Sequence, residues 1–517
     1  MRVGVLELLT TTRASSLTQV MGHYLITKQY TSIMPQAVAV WSRQLGHQVF
    51  YATYYGQDDP KKLLPDDLDL VFIACYTQTS PLAYALAKLY RKEKTLTVFG
   101  GPHAKSFPQD CLRYFDLVVQ QCDKALVADI LGGAFDLGSV VSSDRTLTDL
   151  PSVEERMPEI KVSSFFRGRK PYIATNIALL ASVGCPYTCN FCTDWNNPYV
   201  VLSPDQLEED LRYISQNWPK VKISFHDPNF AIKFDQTLDV LEKIPADVRS
   251  PYIMESSLSV LRGPRLQRLS DTNCIYVAPG IESWSSYSNK AGVGTKTGSE
   301  KVRLVAEHIE AIHAHVPGMQ VNFIFGLDVD EGDEPVELTK EFMRLTPYAW
   351  PVVNIPIPFG GTPLYDEYLE KGRILTSMPF MFYYFPYLVT TLKNYDPLTY
   401  YRKFKELLVY PSTLKMMWRR LRTTPTWAMR FFYTSRYFRK GEQLRRFNRV
   451  LKMMETDPQF RAFHEGESEV LPEFYHQEYD RLLGPYATLL SREERQPLLL
   501  PTDQPHPVEG MSTASRI

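Results

Sequence analysis

The sequence predicts an α/β protein in three parts: a doubly wound parallel-sheet N-terminal domain, a partial βα barrel in the centre and a helical C-terminal extension. Short apolar runs alternate with helically spaced segments over residues 1–135, and a second alternation covers residues 173–375. From residue 376 to residue 491 the composition is instead aromatic, basic and helix-prone. Strands that are short and apolar and that alternate with amphipathic helices are typical of parallel sheets covered on both faces.

The first alternation predicts a sheet with a ligand-binding edge. Its strands are Val3–Leu9, Gln48–Thr53, Leu68–Cys75, Leu96–Phe99 and Leu117–Gln120, and its clearest helices are Gln36–Leu45 and Pro81–Tyr90. Ligands of a doubly wound sheet bind beyond the carboxyl ends of the strands. The loops at those ends are Thr10–Thr12, Tyr76–Ser80 and Gly100-Gly101-Pro102-His103, where two glycines allow the backbone to approach a ligand closely.

The second alternation follows residues 136–172, which are polar, contain Pro, Ser and Arg, and are predicted to form an extended linker. The predicted strands are Ile177–Ser182, Val221–Phe225, Tyr252–Ser256, Ile275–Gly280, Gln320–Phe325 and Val352–Pro356. In a βα barrel the chemistry lies at the C-terminal ends of the strands. Three closely spaced cysteines come immediately after the first of these strands, so we expect them at the barrel mouth.

The bulk properties favour a large globular protein of the cytoplasm. A chain of 517 residues allows roughly three domains of about 150 residues each. Its opening MRVGVLELL is typical of a strand rather than of a signal peptide, and we find no apolar run near the ~18 residues needed to span a bilayer. The net charge is −1, but residues 402–452 contain fifteen Lys and Arg against two acids. Residues 492–517 are predicted to be a disordered tail.

The cysteines carry the clearest chemical signal. Seven cysteines are an odd number, and a cytoplasmic chain keeps its thiols reduced and available for metal. Cys185, Cys189 and Cys192 have the spacing C-x3-C-x2-C, which suits a 4Fe-4S cluster with one iron left without a protein ligand. A structural zinc site requires four ligands, and no second cysteine pair or nearby histidine completes this one. We therefore predict an iron–sulfur cluster with one open coordination position.

This motif at the end of a first barrel strand resembles the signature of the radical S-adenosylmethionine (radical SAM) enzymes. The resemblance implies that S-adenosylmethionine binds the open iron and is cleaved to a 5′-deoxyadenosyl radical, with the difficult chemistry supplied by the cofactor. It also implies an external one-electron reductant of the flavodoxin or ferredoxin type. The similarity covers about residues 175–370, including the closing segment 356–365, which departs from the family pattern by the extra Phe359 and Gly360.

The resemblance also implies residues that contact S-adenosylmethionine at successive strand ends. They are Phe191 beside the third cysteine, Asp227 after the second strand, Glu255 after the third, Glu282 in the fourth-strand segment GIES, and Gly326 after the fifth. Each carboxylate has an alternative interpretation as a helix cap or a surface ion pair, and Phe191 has one as ordinary packing. The catalytic residue that acts on substrate is not identifiable from the sequence.

The N-terminal domain resembles the cobalamin-binding domain that precedes the barrel in one radical SAM subclass. The similarity lies in the segments VFIACYTQTSPLAYALAK and TLTVFGGPHAKSFPQDCLRYFDLVV. It implies cobalamin contacts from Thr77, Ser80, Gly100, Gly101 and His103. The chain lacks a D-x-H-x-x-G segment, and it has Gln120-Gln121-Cys122 where the family usually has Gly-Glu. The alternative is a doubly wound domain used only for packing or substrate binding, because a fold does not fix a function.

The basic C-terminal region is open to three interpretations. It fits a helical cap that pairs its cations with the acidic remainder, a peripheral contact with an anionic membrane through residues 402–452, or, least favoured, an RNA-binding surface. The predicted function is cobalamin-dependent methyl transfer, or another radical transformation, on a small molecule or lipid. The alternatives are a radical enzyme without cobalamin and a non-catalytic iron–sulfur or lipid-surface binding protein.

Overall fold

A computed structural model describes residues 1–13, 17–287 and 291–501. The strands are β1 (Arg2–Leu8), β2 (Gln48–Tyr54), β3 (Leu70–Cys75), β4 (Leu96–Gly100), β5 (Leu117–Val119), β6 (Ser139–Val141), β7 (Asn176–Leu179), β8 (Ser182–Val183), β9 (Val200–Val201), β10 (Lys222–Phe225), β11 (Tyr252–Met254), β12 (Cys274–Val277), β13 (Gly280–Glu282), β14 (Gly318–Ile324) and β15 (Trp350–Asn354).

The α-helices are α1 (Leu17–Leu25), α2 (Ile33–Gln44), α3 (Ser80–Lys92), α4 (Pro102–Ser106), α5 (Pro108–Leu112), α6 (Lys124–Leu131), α7 (Met157–Ser164), α8 (Pro204–Asn217), α9 (Phe234–Glu242), α10 (Arg265–Asp271), α11 (Gly298–His313), α12 (Glu334–Leu345), α13 (Pro363–Glu370), α14 (Pro397–Val409), α15 (Leu414–Thr423), α16 (Trp427–Thr456), α17 (Pro458–Glu465) and α18 (Glu473–Leu483). Short 3₁₀ helices cover Thr27–Tyr30, Pro60–Leu63, Thr77–Thr79, Phe380–Phe382, Tyr410–Ser412 and Gly484–Leu489.

The N-terminal sheet is fully parallel, with the strand order β2-β1-β3-β4-β5-β6. The chain reverses its direction of travel across the sheet between β1 and β3, which makes the crevice beyond these two strands the expected ligand site. This confirms the predicted doubly wound fold. The predicted linker 136–172 differs from the structure, because it contains the edge strand β6 and the helix α7, which packs on β2 and β7.

The central sheet is a partial barrel of parallel strands, as predicted. Its strands follow the chain in the order β7, β10, β11, β12, β14 and β15, and β13 continues the line of β12 along the same side of β14. The antiparallel ribbon β8–β9 was not predicted, since each of its strands has only two residues. This ribbon encloses the three-cysteine segment, so it sets the geometry of the candidate site.

The long helix α16 packs across the interior face of the barrel. The hydroxyl of Tyr433 accepts from Met319 N at 2.9 Å and donates to Met319 O at 3.1 Å. Gly318 is required here, because a Cβ at that position would lie 2.6 Å from the Met429 Cε atom and 2.6 Å from the Tyr276 ring. The C-terminal extension is therefore helical, as predicted, and one of its helices contributes directly to the barrel interior.

The last described residues run along the N-terminal domain. Leu498 N donates to the carboxylate of Asp110 at 2.7 Å, and Tyr365 donates to Leu500 O at 3.1 Å. Residues 492–501 thus differ from the predicted disordered tail, because their backbone forms long-range hydrogen bonds that local composition does not reveal. The rest of that predicted tail, residues 502–517, lies outside the described residues.

Candidate functional site

The three cysteines lie in a loop that begins and ends in the β8–β9 ribbon. Each is a half-buried thiol rather than a disulfide partner. The loop is folded back on itself, since Cys185 N donates to Asn197 O at 3.2 Å and Cys192 N donates to Cys189 O at 3.0 Å. The structure therefore places all three predicted ligands in one loop after the carboxyl end of β7, where barrel chemistry is expected.

Gly184 fixes the start of this loop. Its φ of +70° lies in the left-handed region, which residues with a Cβ adopt at a cost. A Cβ at this position would also overlap the carbonyl oxygen of Pro198 on the returning side of the loop. The backbone before the first cysteine is consequently compatible with glycine and with very little else.

The closing segment of the barrel holds the far side of the loop. Trp195 Nε1 donates to Gly361 O at 2.6 Å, and Leu364 N donates to Asn190 O at 3.0 Å. The extra Gly360 packs against the N-terminal domain, where a Cβ would overlap the carbonyl oxygen of Ser106. The departure from the family pattern thus forms a contact between the two domains.

A lysine of the N-terminal domain forms a direct hydrogen bond with the cysteine loop. Lys105 in α4 donates to Thr193 O at 2.5 Å and lies 3.6 Å from the Asp194 carboxylate. The helix that follows the Gly100–Gly101 turn therefore contacts the cysteine loop. The sequence does not predict this contact, because it joins residues 88 positions apart and no local pattern marks it.

The donor set fits an iron–sulfur cube. The Asn229 side-chain amide points at Cys185 Sγ from 4.0 Å, and its Oδ1 accepts from Ser257 N at 2.9 Å, which fixes its orientation. Hydrogen bonds to cluster sulfurs tune the reduction potential. Among the described residues no three His, Cys, Asp or Glu side chains converge on a single metal ion. A cube needs no such convergence, because each thiolate binds a different iron.

Asp227 is buried and supports the beginning of the loop. Its carboxylate accepts from Ala181 N at 3.1 and 3.2 Å and from the Ser182 hydroxyl at 2.5 Å. Burial raises the pKa of Asp227 to about 6, against the lowering effect of these hydrogen bonds. The side chain therefore contacts the strand end next to the first cysteine, and its contact with S-adenosylmethionine stays a prediction.

The other residues predicted to contact S-adenosylmethionine lie around the barrel mouth. Glu282 is buried with a φ of +66°, whereas Glu255 is exposed at the end of β11. Gly326 has a φ of +104°, and a Cβ there would lie 2.7 Å from the Tyr400 ring. The structure thus gives Gly326 a packing role that the sequence did not reveal, in addition to its predicted position at a strand end.

Phe191 is held by an aromatic partner. Its ring stacks on that of Tyr287 with centroids 6.0 Å apart and an interplanar angle of 17°. The Tyr287 hydroxyl donates to Asn190 Oδ1 at 2.6 Å. The cysteine loop and the segment after β13 are therefore joined at Phe191, and its contact with adenine remains a prediction.

His103 lies in the core of the N-terminal domain. Tyr84 donates to the Asp110 carboxylate at 2.6 Å, so His103 Nε2–H is the donor in the 2.6 Å bond to the tyrosine oxygen. His103 Nδ1 then accepts from the Thr77 hydroxyl at 3.3 Å. Burial lowers the pKa of His103 to about 3, which keeps the ring neutral. Both ring nitrogens form hydrogen bonds within the N-terminal domain, so this geometry does not favour the predicted cobalamin contact of His103.

The remaining predicted cobalamin contacts divide into buried and open positions. Ser80 is fully buried and donates to Thr77 O at 2.9 Å. Gly100 is half-buried and Gly101 is exposed with a φ of +91°. A Cβ at Gly100 would meet no other residue closer than 4.0 Å. The two glycines therefore offer accessible backbone at the carboxyl edge of the sheet, which is where a corrin and its tail would fit.

A buried carboxylate near this crevice was missed by sequence analysis. Glu7, at the end of β1, accepts from Ser32 N through Oε1 at 2.7 Å, while Oε2 has no hydrogen-bond partner among the described residues. Burial raises the pKa of Glu7 to about 7. The sequence does not reveal the burial of Glu7, because a single acid within an apolar strand looks the same as an exposed residue at a strand edge.

Comparison with known proteins decides the family. The sequence model of the radical SAM superfamily matches residues 179–343, which include all three cysteines. Residues 179–343 of the chain therefore form a radical SAM domain. Two curated relatives come from Chlorobaculum tepidum. Bacteriochlorophyllide d C-8(2)-methyltransferase is 26% identical over 410 residues, covering 75% of this chain and 87% of the relative. Bacteriochlorophyllide d C-12(1)-methyltransferase is 23% identical over 323 residues, covering 60% and 68%.

Solved structures share the fold of this chain over most of its length. The cobalamin-dependent S-adenosylmethionine radical enzyme OxsB, solved with aqua-cobalamin bound, matches 95% of this chain and 77% of its own, with a TM-score of 0.59 and 12% identity. The radical S-adenosylmethionine methyltransferase TsrM from Kitasatospora setae matches 72% and 78%, with a TM-score of 0.51 and 13% identity. The predicted radical SAM class and fold class are confirmed.

Proposed function

We propose that this radical SAM protein is a cobalamin-dependent methyltransferase that acts on a small molecule. The observation that carries the proposal is the contact between Lys105 and Thr193, since it sets the Gly100–Gly101 edge of the first sheet beside the cysteine loop of the second. Two groups bound at these edges would border one crevice. The methyltransferase relatives and the cobalamin-containing structural neighbours support the same assignment.

The chain would supply binding and orientation. Cys185, Cys189 and Cys192 would hold the 4Fe-4S cluster, and Asn229 would place an N–H beside the first sulfur. When bound, the cluster supplies the electron that cleaves S-adenosylmethionine, and cobalamin supplies methyl transfer. That electron comes from an external one-electron reductant. Gly100 and Gly101 would let the backbone lie against cobalamin.

The test is anaerobic reconstitution with iron, sulfide and cobalamin, followed by a reductant and S-adenosylmethionine. We expect about one corrinoid retained per chain, and S-adenosylhomocysteine and 5′-deoxyadenosine formed only with reductant. In the variant Gly100→Val the side chain fills open space at the crevice, so it should lose corrinoid while keeping its iron. A wild-type protein that forms 5′-deoxyadenosine without ever retaining corrinoid would instead support the radical enzyme without cobalamin.

We also propose that the outer face of α15 and α16 rests on an anionic membrane. Trp427, Phe431 and Phe438 are 82%, 72% and 74% exposed. At ~100° per residue they lie within about 40° of one another on the helix. In α15, Trp418 is exposed beneath Arg422, whose guanidinium lies 3.7 Å from the ring centroid. Aromatic side chains beside cations suit a lipid headgroup region. No helix in the described ranges is long and apolar enough to cross a bilayer.

Sedimentation with vesicles tests this surface. We expect the protein to bind phosphatidylglycerol vesicles and to bind phosphatidylcholine vesicles weakly, because cations near an anionic surface contribute about 1 kcal/mol each. The triple variant Trp427→Ser, Phe431→Ser and Phe438→Ser should bind at least about tenfold more weakly. The matched control is Arg492→Gln, an exposed change elsewhere on the chain. Equal binding of the triple variant and the wild type would exclude this face as the contact.

A further inference from the structure

The inner face of α16 places cations in the barrel interior. Arg436 donates to the Tyr276 hydroxyl at 2.9 Å and to Gln320 Oε1 at 2.9 Å. Both partners lie on barrel strands, β12 and β14, and both are half-buried. Arg436 therefore forms part of the interior wall opposite the outer aromatic face of the same helix.

Two further cations gather with Arg436 around the Trp350 ring. The guanidinium carbons of Arg420 and Arg436 each lie 4.8 Å from the ring centroid, and Lys440 Nζ lies 5.8 Å from it. Arg420 is 1% exposed, and its Nε has no hydrogen-bond partner among the described residues. This group of Arg420, Arg436 and Lys440 is the inner cation cluster.

The inner cation cluster has neutral partners. Arg420 donates to Pro411 O at 3.1 Å and to Ala349 O at 3.4 Å. Within the ranges that the structure describes, no ion pair joins any of the three cations to a carboxylate. Burial, together with repulsion by Arg420 and Arg436, lowers the pKa of Lys440 to about 7. Arg420 is buried and the other two cations are half-buried. Like charges this close together without a counter-charge repel one another, so an anion at this position would offset that repulsion.

We infer that the inner cation cluster binds an anionic group, a carboxylate or phosphate, of the substrate. This rests on the proposed function and names the substrate class. From Arg436 a polar path continues along β14, where Gln320 Nε2 donates to Asn322 Oδ1 at 2.8 Å. The path leads towards the carboxyl end of the strand, which is the edge that carries the cysteine loop. From Gln320 to Ile324 the strand rises about 13 Å, so a substrate anchored at the cluster must be an extended molecule.

Acetylation of Lys440 in the reconstituted holoenzyme gives a residue-specific test that needs no turnover. An amine with a lowered pKa reacts with N-hydroxysuccinimidyl acetate near neutral pH, and mass spectrometry quantifies the product at each lysine. With inorganic phosphate at about four times its Kd, we expect acetylation of Lys440 to slow about fivefold at matched ionic strength. Lys452, exposed on the same helix, should react at an unchanged rate.

The variants separate a bound anion from a general salt effect. In Arg436→Gln the protection of Lys440 should be lost, and in Arg436→Lys it should be largely retained. Insensitivity of Lys440 to phosphate and to acetate, or protection that persists in Arg436→Gln, would overturn the inference. So would protection by phosphatidylglycerol vesicles without protection by free phosphate, since the occupant would then be a membrane headgroup. Protection of Lys440 in a protein that transfers no methyl group would count against the proposed function alone.

Discussion

Replacing Cys185, Cys189 and Cys192 together with alanine is expected to abolish both iron binding and cleavage of S-adenosylmethionine. Cys185, Cys189 and Cys192 are half-buried thiols in one loop at the barrel mouth, and they are the cluster ligands that we propose. Without thiolates a cluster has nothing to bind it. After anaerobic reconstitution, iron should fall from about four per chain to background, and 5′-deoxyadenosine should no longer form.

The matched control is Cys122→Ser, which removes a half-buried thiol from the N-terminal domain. It should keep full iron content and activity, with only a small change in stability. The circular dichroism spectrum of the triple variant should match that of the wild type, because the cysteines contribute little to the core. A triple variant that retains wild-type iron would overturn the assignment of the site.

Gly184→Ala is expected to have the second-largest effect. The new Cβ would meet the Pro198 carbonyl, and the residue would still require a left-handed φ, so the loop must move. Left-handed strain alone costs about 1–3 kcal/mol, and the overlap shifts the first cysteine as well. We expect iron content to fall by at least half and S-adenosylmethionine cleavage by about a hundredfold, as measured by product formation per iron.

Gly133→Ala separates the overlap from the backbone strain. Gly133 has a comparable φ of +74°, but a Cβ there meets no atom within 4 Å. This control should lose a similar amount of thermal stability while keeping its iron and its activity. If Gly184→Ala behaved like Gly133→Ala, the loop would accommodate the new Cβ, and the close packing of Gly184 against Pro198 would not be needed for function.

Sequence reasoning located the strands because buried parallel strands are nearly continuous apolar runs. It missed β6 because that edge strand, Ser139–Val141, lies within a polar segment that composition marks as a linker. It missed β8 and β9 because two-residue strands carry no periodicity. In both cases the missing information is the pairing partner, which lies outside the segment itself: β6 pairs with β5, and β8 pairs with β9 across the cysteine loop.

The residues of the candidate site were predicted or missed for the same reason. The cysteine spacing is local, so the sequence alone names the three candidate ligands, and the structure places them in one loop. Asn229, Lys105 and Glu7 were missed, because each acts through a partner that is distant in sequence. His103 lies in a conspicuous glycine-rich loop, yet its ring turns inward to Tyr84. A motif identifies where a loop lies, but only packing determines which of its side chains face the ligand.

Lys105 donates to the cysteine loop, and Gly360 packs against α4. These two contacts join the two domains in one shared structural element. Two ligands that each order this element would bind in linked equilibria. Whatever free energy one ligand gains from ordering this element is gained equally by the other, because thermodynamic coupling is reciprocal. A protein assembled with only one of its two large ligands should therefore hold that ligand less tightly than the complete enzyme does.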